Sequence, residues 1–361
     1  MKIYMIAGEA SGDLHGSNLM KAMQLQRHKL QFRVWGGDLM AAAGGDLVKH
    51  YRDLAFMGFV EVLLNIRTIL GNIAFCKQDI LQFKPDVLVL IDYPGFNLRI
   101  AKWAKKQGIR VVYYISPQIW AWHQSRVKSI SRDVDQMLVI LPFEQAFYST
   151  HGVNVTYVGH PLVDAVQSMS FENLFEKRKI VALLPGSRMQ ELKRILPRML
   201  SIVPSFPDYT FVVAGTKNLP KEVYDEILKP YPQVALITGK TYSLLKSASA
   251  ALVKSGTSTL ETALLGTPQV VCYAGSPLSY QIAKRLIKVK YISLVNLVLD
   301  KPLVTELIQD ELSESNLKQS LSEILQVNKA AEIKEGYQKL KNLLGAGGAS
   351  QRAATAILGD M

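Results

Sequence analysis

Short runs dense in Val, Ile and Leu alternate with longer segments of helical periodicity along nearly all of this 361-residue chain. A strand with one wet face alternates apolar and polar residues, whereas a parallel strand covered by helices on both faces reads as one continuous apolar run. The alternation therefore calls for α/β architecture with doubly wound parallel sheets. In the first half the strand candidates are Lys2 to Ile6, Phe32 to Trp35, Asp86 to Ile91, Arg110 to Tyr114 and Gln136 to Ile140. The second half repeats the scheme with Ile180 to Leu184, Thr210 to Ala214, Val234 to Ile237, Ala250 to Val253 and Gln269 to Tyr273. Two Rossmann-like domains are expected, over 1–165 and 166–345, joined by the stretch that follows Gly159, His160 and Pro161. After GAGGAS, a last helix at about 346–361 is expected to pack back on the first domain or on a partner subunit.

Hydrophobic residues make up 48% of the chain, enough for two cores, and this excludes a disordered protein. The two cysteines, Cys76 and Cys272, lie in apolar stretches, so no disulfide framework is expected and a reducing compartment suits the chain. MKIYMIAGEASGD turns acidic too soon for a signal peptide, and the uncharged run Thr262 to Ala283 is interrupted by Gly266, Pro268, Gly275 and Pro277. A cytoplasmic protein without a transmembrane helix is the expectation. Lys and Arg number 42 against 30 Asp and Glu, a net charge of +12, which favours an anionic partner: nucleic acid, an acidic membrane face or a phosphorylated small molecule.

Chemistry concentrates where the strand candidates end. The first runs into Gly8, Glu9, Ala10, Ser11, Gly12 and Asp13, which reads either as a tight turn into a helix capped by Ser11 or Asp13 or as a polar acceptor site, its carboxylates being unsuited to a pyrophosphate. His15, just beyond, reads as an exposed residue. DVLVLID ends at Asp92, which reads either as a cap for the next helix or a bond to the turn, or as a carboxylate where substrates of open parallel sheets bind, its pKa raised by an apolar surrounding toward that of a general base. The loop Ser116 to His123 holds Trp120 and Trp122, which suit either a plug over the core or a platform for a sugar or acyl chain.

In the second half, LLPGSR offers the amides of Gly186 and Ser187 with the cation of Arg188. KSGTSTLE offers Ser255, Gly256 and Thr257 at a helix start, with Glu261 one turn in. Such turns hold a diphosphate on backbone amides and a planar guanidinium, and Glu261 is spaced to grip ribose hydroxyls. There is no Walker A, GxGxxG or HExxH motif and no clustered Cys or His, so neither a P-loop ATPase nor a zinc enzyme is supported.

The stretch Phe56 to Phe75 has only a narrow polar strip, Glu61, Asn65, Thr68 and Asn72, and reads either as a buried helix or as one dipping into a bilayer. Arg99 to Arg132 carries eight Lys or Arg and no Asp or Glu, and a second basic patch comprises Lys284, Arg285, Lys288 and Lys290. Such patches read either as a solvated face or, with basic residues interleaved with apolar ones, as a site for anionic lipid head groups.

Taken in order, GEASGD, MGFVEVL, KPDVLVLIDYPGFN, YISPQIWAW, LPFEQAFY, VGHPLVDA, LLPGSR, SGTSTLE and YISLVNLVL resemble the lipid-A-disaccharide synthase family over nearly the whole chain. The resemblance implies an inverting glycosyltransferase of the GT-B type, with its two Rossmann-like domains facing a central cleft. It would transfer 2,3-diacylglucosamine from UDP-2,3-diacylglucosamine to the 6-hydroxyl of 2,3-diacylglucosamine 1-phosphate, with no cofactor and no metal. By the same resemblance Asp92 and Glu9 are the catalytic residues, Asp92 as the base and Glu9 either orienting the acceptor or sharing the load. Gly186, Ser187, Arg188, Ser255, Gly256, Thr257, Glu261 and Asn296 surround the UDP moiety. Ser11, Asp13, Phe59, Leu63, Trp120 and Trp122 are expected to meet acceptor or lipid. The chain would sit peripherally on the anionic cytoplasmic face of the inner membrane, and homodimerisation is left open. The alternative is another GT-B enzyme of UDP-N-acetylglucosamine, either a lipid II-type transferase or a 2-epimerase. Nucleic acid is not an expected partner, since no recognition motif is present.

Overall fold

The computed structural model describes residues 1–54, 66–121, 124–172, 174, 179–276, 280 and 289–359. The chain forms two compact units, one comprising Met1–Asp164 with Gly347–Met361 and the other Ala165–Ala346.

The first unit carries a seven-stranded sheet in the order β3-β2-β1-β4-β5-β6-β7, and every pair in it is parallel. Its strands are β1 (Lys2–Ala7), β2 (Gln31–Gly36), β3 (Gly45–His50), β4 (Val87–Ile91), β5 (Arg110–Tyr114), β6 (Gln136–Val139) and β7 (Thr156–Tyr157). β4 is buried at every residue and β1 at all but Lys2, as the unbroken apolar runs require of strands covered on both faces. On one face, Ile80, Ile100, Ala104 and Tyr148 from the covering elements share a core with Trp35 of β2. The helix Ala349–Leu358 lies on the helix Ala10–Gln26 within this unit. Asp164 holds its start, accepting from the amides of Gly348 at 2.6 Å and Ser350 at 3.1 Å.

The second unit has a six-stranded parallel sheet in the order β10-β9-β8-β11-β12-β13. These are β8 (Ile180–Leu184), β9 (Thr210–Gly215), β10 (Ala235–Thr238), β11 (Ala250–Lys254), β12 (Gln269–Tyr273) and β13 (Glu306–Ile308). β8 pairs with β11, so the turns that follow these two strands emerge side by side. In both sheets the strand order reverses next to the first strand of the unit, and such switch points are where open α/β sheets leave room for ligands.

Three strands lie beyond the sequence reading. β3 is an edge strand whose residues are half-buried or exposed, so GDLVKH lacks the continuous apolar signal. β7 and β13 span two and three residues, too short to show a period.

Candidate active site

In the first unit the site is built on strained turns at the ends of β4 and β5. Asp92 and Tyr93 both hold left-handed backbone conformations, at φ 45 and 50, and so does Ile115 at φ 65. Non-glycine residues keep such angles only where their surroundings over-determine them. Here the Asp92 amide donates to the Tyr114 carbonyl at 3.1 Å. The Asp92 carbonyl accepts from the Tyr113 hydroxyl at 2.5 Å and from Asn97 Nδ2 at 2.8 Å. The backbone is thus clamped on both sides, which fixes where the carboxylate stands. Pro94 then opens the helix Pro94–Lys106 with its preset φ.

Glu9 enters the same neighbourhood through a close approach at Gly8. A Cβ on Gly8 would lie 2.3 Å from the Tyr93 ring, so only glycine lets the first turn come this near to the Asp92 turn. Burial chiefly, and the Glu9 charge next, push the Asp92 carboxyl up to about 7. A third carboxylate, Glu144, was not singled out from the sequence. It accepts from the amides of Ile140 and Leu141 at 3.1 and 2.9 Å and from Trp120 Nε1 at 3.2 Å. It is 1% exposed, and burial raises its carboxyl to about 7, with Asp92 contributing to the rise. Asp92, near neutral in pKa and held rigidly at a strand end, has the properties of a general base.

In the second unit the turns after β8 and β11 bring cations together. Gly186 adopts φ 108 directly over Glu191, whose Oε2 would lie 2.4 Å from a Cβ there. Glu191 Oε1 is 2.8 Å from Lys254 Nζ and 3.8 Å from Arg188 Nη1. Ser187 and Thr257 are exposed, and the Ser255 hydroxyl donates to the Ile292 carbonyl at 2.8 Å. Gly256, at φ 155, is the N-cap of the helix Thr257–Leu265, and no side chain closes that end. Glu261 accepts from the Tyr242 hydroxyl at 2.6 Å, and burial raises its carboxyl. Two cations, one carboxylate and a helix start without a side-chain cap give this end of the sheet the chemistry to receive an anion.

Four expectations need correction. Asp13 is 3% exposed and accepts from the amides of Gly37, Leu39 and Met40 at 2.7, 3.1 and 3.0 Å, which ties the first helix to the turn after β2 and leaves it no acceptor to meet. Trp120 packs edge-on against Phe143 and bonds to Glu144, so it is an inner wall and no acyl platform. Asn296 is 1% exposed; its amide spans Val304 and Glu306, so it holds a loop in place of a nucleotide. His15 is buried, and desolvation lowers its pKa to about 4, so it is a neutral interior residue. Ser11 is exposed at the first turn. Phe59, Leu63 and Trp122 lie outside the described residues, as do Lys284, Arg285 and Lys288 of the second basic patch.

Two Rossmann-like units, each with a parallel sheet, are the architecture of the GT-B class; here one unit carries carboxylates at its strand ends and the other two cations about one carboxylate. Solved structures agree in fold. UDP-GlcNAc 2-epimerase from Neisseria meningitidis bound to UDP-GlcNAc superposes with a TM-score of 0.69 at 15% identity, covering 99% of this chain and all of that one. The glycotransferase of kitacinnamycin gives 0.66 at 14%, with 99% and 98% covered. The profile of the family described as Lipid-A-disaccharide synthetase matches residues 3–358. Lipid-A-disaccharide synthase of Syntrophus aciditrophicus is 43% identical over 370 residues, 99% of this chain and 97% of that protein. That of Trichlorobacter lovleyi is 40% identical over 374 residues, with the same shares covered. The chain belongs to the lipid-A-disaccharide synthetase family of glycosyltransferases.

Proposed function

We propose that this chain joins two acylated glucosamines. The donor is UDP-2,3-diacylglucosamine and the acceptor is the 6-hydroxyl of 2,3-diacylglucosamine 1-phosphate. The β-1,6 bond forms with inversion at the donor's anomeric carbon, and UDP departs. Inversion in one displacement needs a base at the attacking hydroxyl and charge stabilisation at the leaving diphosphate. The observation that carries the reading is the clamped Asp92, whose carboxyl at about 7 stands ready to take the acceptor proton. Glu9 orients the acceptor and keeps Asp92 basic through like-charge repulsion. Arg188 and the amides at Gly186, Ser187, Gly256 and Thr257 take up the charge of the departing diphosphate, and Glu261 holds the ribose.

We further propose that the first unit rests on an anionic membrane face. Among the described residues no helix is long and apolar enough to cross a membrane. Arg99, Lys102 and Lys106 share one stripe of the helix Pro94–Lys106, and Lys128 and Arg132 share one of the adjacent helix Val127–Asp133. Asp133, within this cluster, is only 5% exposed and is bound bidentately by Arg132. Such a face attracts acidic head groups at roughly 1 kcal/mol per cation near the surface.

The test of the chemistry is Asp92→Asn. The variant is expected to bind UDP as the parent does and to lose turnover by about 100- to 10,000-fold. Near-parental turnover with intact UDP binding would remove Asp92 from the role of base.

A further inference from the structure

Lys254 closes β11 at the point where the two cationic turns of the second unit meet. Its ammonium is 2.8 Å from Glu191 Oε1, with the two side chains 22% and 17% exposed. Arg188, 56% exposed, reaches the same carboxylate at 3.8 Å. Gly186 sits over Glu191 on one side of this cluster. On the other, a Cβ at Gly256 would come within 3.8 Å of Lys254 Nζ. The helices Met189–Leu200 and Thr257–Leu265 both begin here, and neither start is capped by a side chain. Two cations and two open helix starts against a single carboxylate leave the cluster positive on balance. A dianionic group would compete successfully with Glu191 for the ammonium.

We propose that Lys254 is a diphosphate-gripping residue and that Glu191 is its resting counter-ion, which the donor's diphosphate displaces on binding and which reclaims the lysine when UDP leaves. The proposal rests on the donor reading given above and adds to it a residue and an ion-pair exchange. A partly buried lysine without a partner would be costly, and Glu191 holds it in place between turnovers. The same carboxylate opposes the diphosphate, so it weakens UDP binding while preserving the geometry that receives it. A purely structural ion pair has a different signature, because removing either partner would then loosen the same turn and weaken binding alike.

The full chain is titrated calorimetrically with UDP, UMP and uridine, for the parent, Lys254→Met, Lys254→Arg and Glu191→Gln. A lost charge-assisted contact corresponds to about ten- to a hundredfold in affinity. Lys254→Met is expected to weaken UDP by that factor, UMP by less, and uridine not at all. Lys254→Arg keeps the cation and stays within a fewfold of the parent. Glu191→Gln, which is isosteric beneath Gly186, is expected to bind UDP several-fold more tightly. Unchanged UDP affinity in Lys254→Met overturns the proposal, and so does weakened binding in Glu191→Gln, which stands as a test even if the methionine variant fails to fold. A parent that binds no UDP overturns the donor reading itself, a result distinct from either.

Discussion

Replacing Gly8 by Ala tests whether the close approach of two turns creates the carboxylate site. A Cβ at this position would lie 2.3, 2.4 and 2.6 Å from Cγ, Cδ1 and Cδ2 of Tyr93. Carbon atoms in contact prefer about 3.5–4.0 Å, so the ring must retreat by roughly 1 Å. It has little freedom to do so. Its hydroxyl donates to the Leu54 carbonyl at 3.2 Å, it stacks on Phe96 at 5.7 Å, and its backbone is held at φ 50. Overpacking of this kind costs about 1–3 kcal/mol. Asp92 is the residue before Tyr93, and an ångström of misplacement there lowers turnover on the order of 100-fold. Urea unfolding reads the first quantity and steady-state UDP release the second. In a Tyr93→Gly background the added methyl has room, so Gly8→Ala should there cost under about 0.5 kcal/mol, a coupling that a double-mutant cycle isolates. If the substitution is harmless in the parent, or equally harmful in both backgrounds, the two turns are not coupled as described.

Three further outcomes follow from the charge distribution. Asp92 acts only when deprotonated, and its carboxyl is raised to about 7. kcat/KM should therefore fall about tenfold per pH unit below that value and level off above it. Glu9→Gln removes a like charge and should move this acid limb to lower pH, and an unmoved limb would show that Glu9 does not act on Asp92 electrostatically. Replacing Lys102, Lys106 and Lys128 together by Glu should abolish sedimentation with vesicles rich in anionic lipid while leaving UDP affinity unchanged. Retained vesicle binding would place the membrane contact elsewhere.

The sheets were legible because strands covered on both faces carry continuous apolar runs such as VLVLI and IVALL. The same logic hid β3, which lies at an edge and has no such run. The position of Asp92 could be read because it directly follows the apolar run VLVLI, although a carboxylate there serves equally to cap the next helix or to meet a substrate. Glu144 could not: its bonds to the Ile140 and Leu141 amides are those of an ordinary residue in the first turn of a helix, and only Trp120, 24 residues earlier, ties it to the loop after β5. Lys254 meets Glu191 only because β8 and β11 are neighbours, a pairing across some 60 residues that no local motif announces. The reverse failure befell Asp13 and Asn296. Their types suit ligands, but three backbone amides 24 to 27 residues on hold Asp13, and the Val304 backbone with the Glu306 carboxylate holds Asn296.

UDP release from UDP-2,3-diacylglucosamine, followed with and without 2,3-diacylglucosamine 1-phosphate, tests the proposed reaction most directly. Transfer to the sugar hydroxyl predicts rapid release only when the acceptor phosphate is present, with one disaccharide formed per UDP. Equal release without acceptor, or turnover of UDP-N-acetylglucosamine lacking acyl chains, would contradict it.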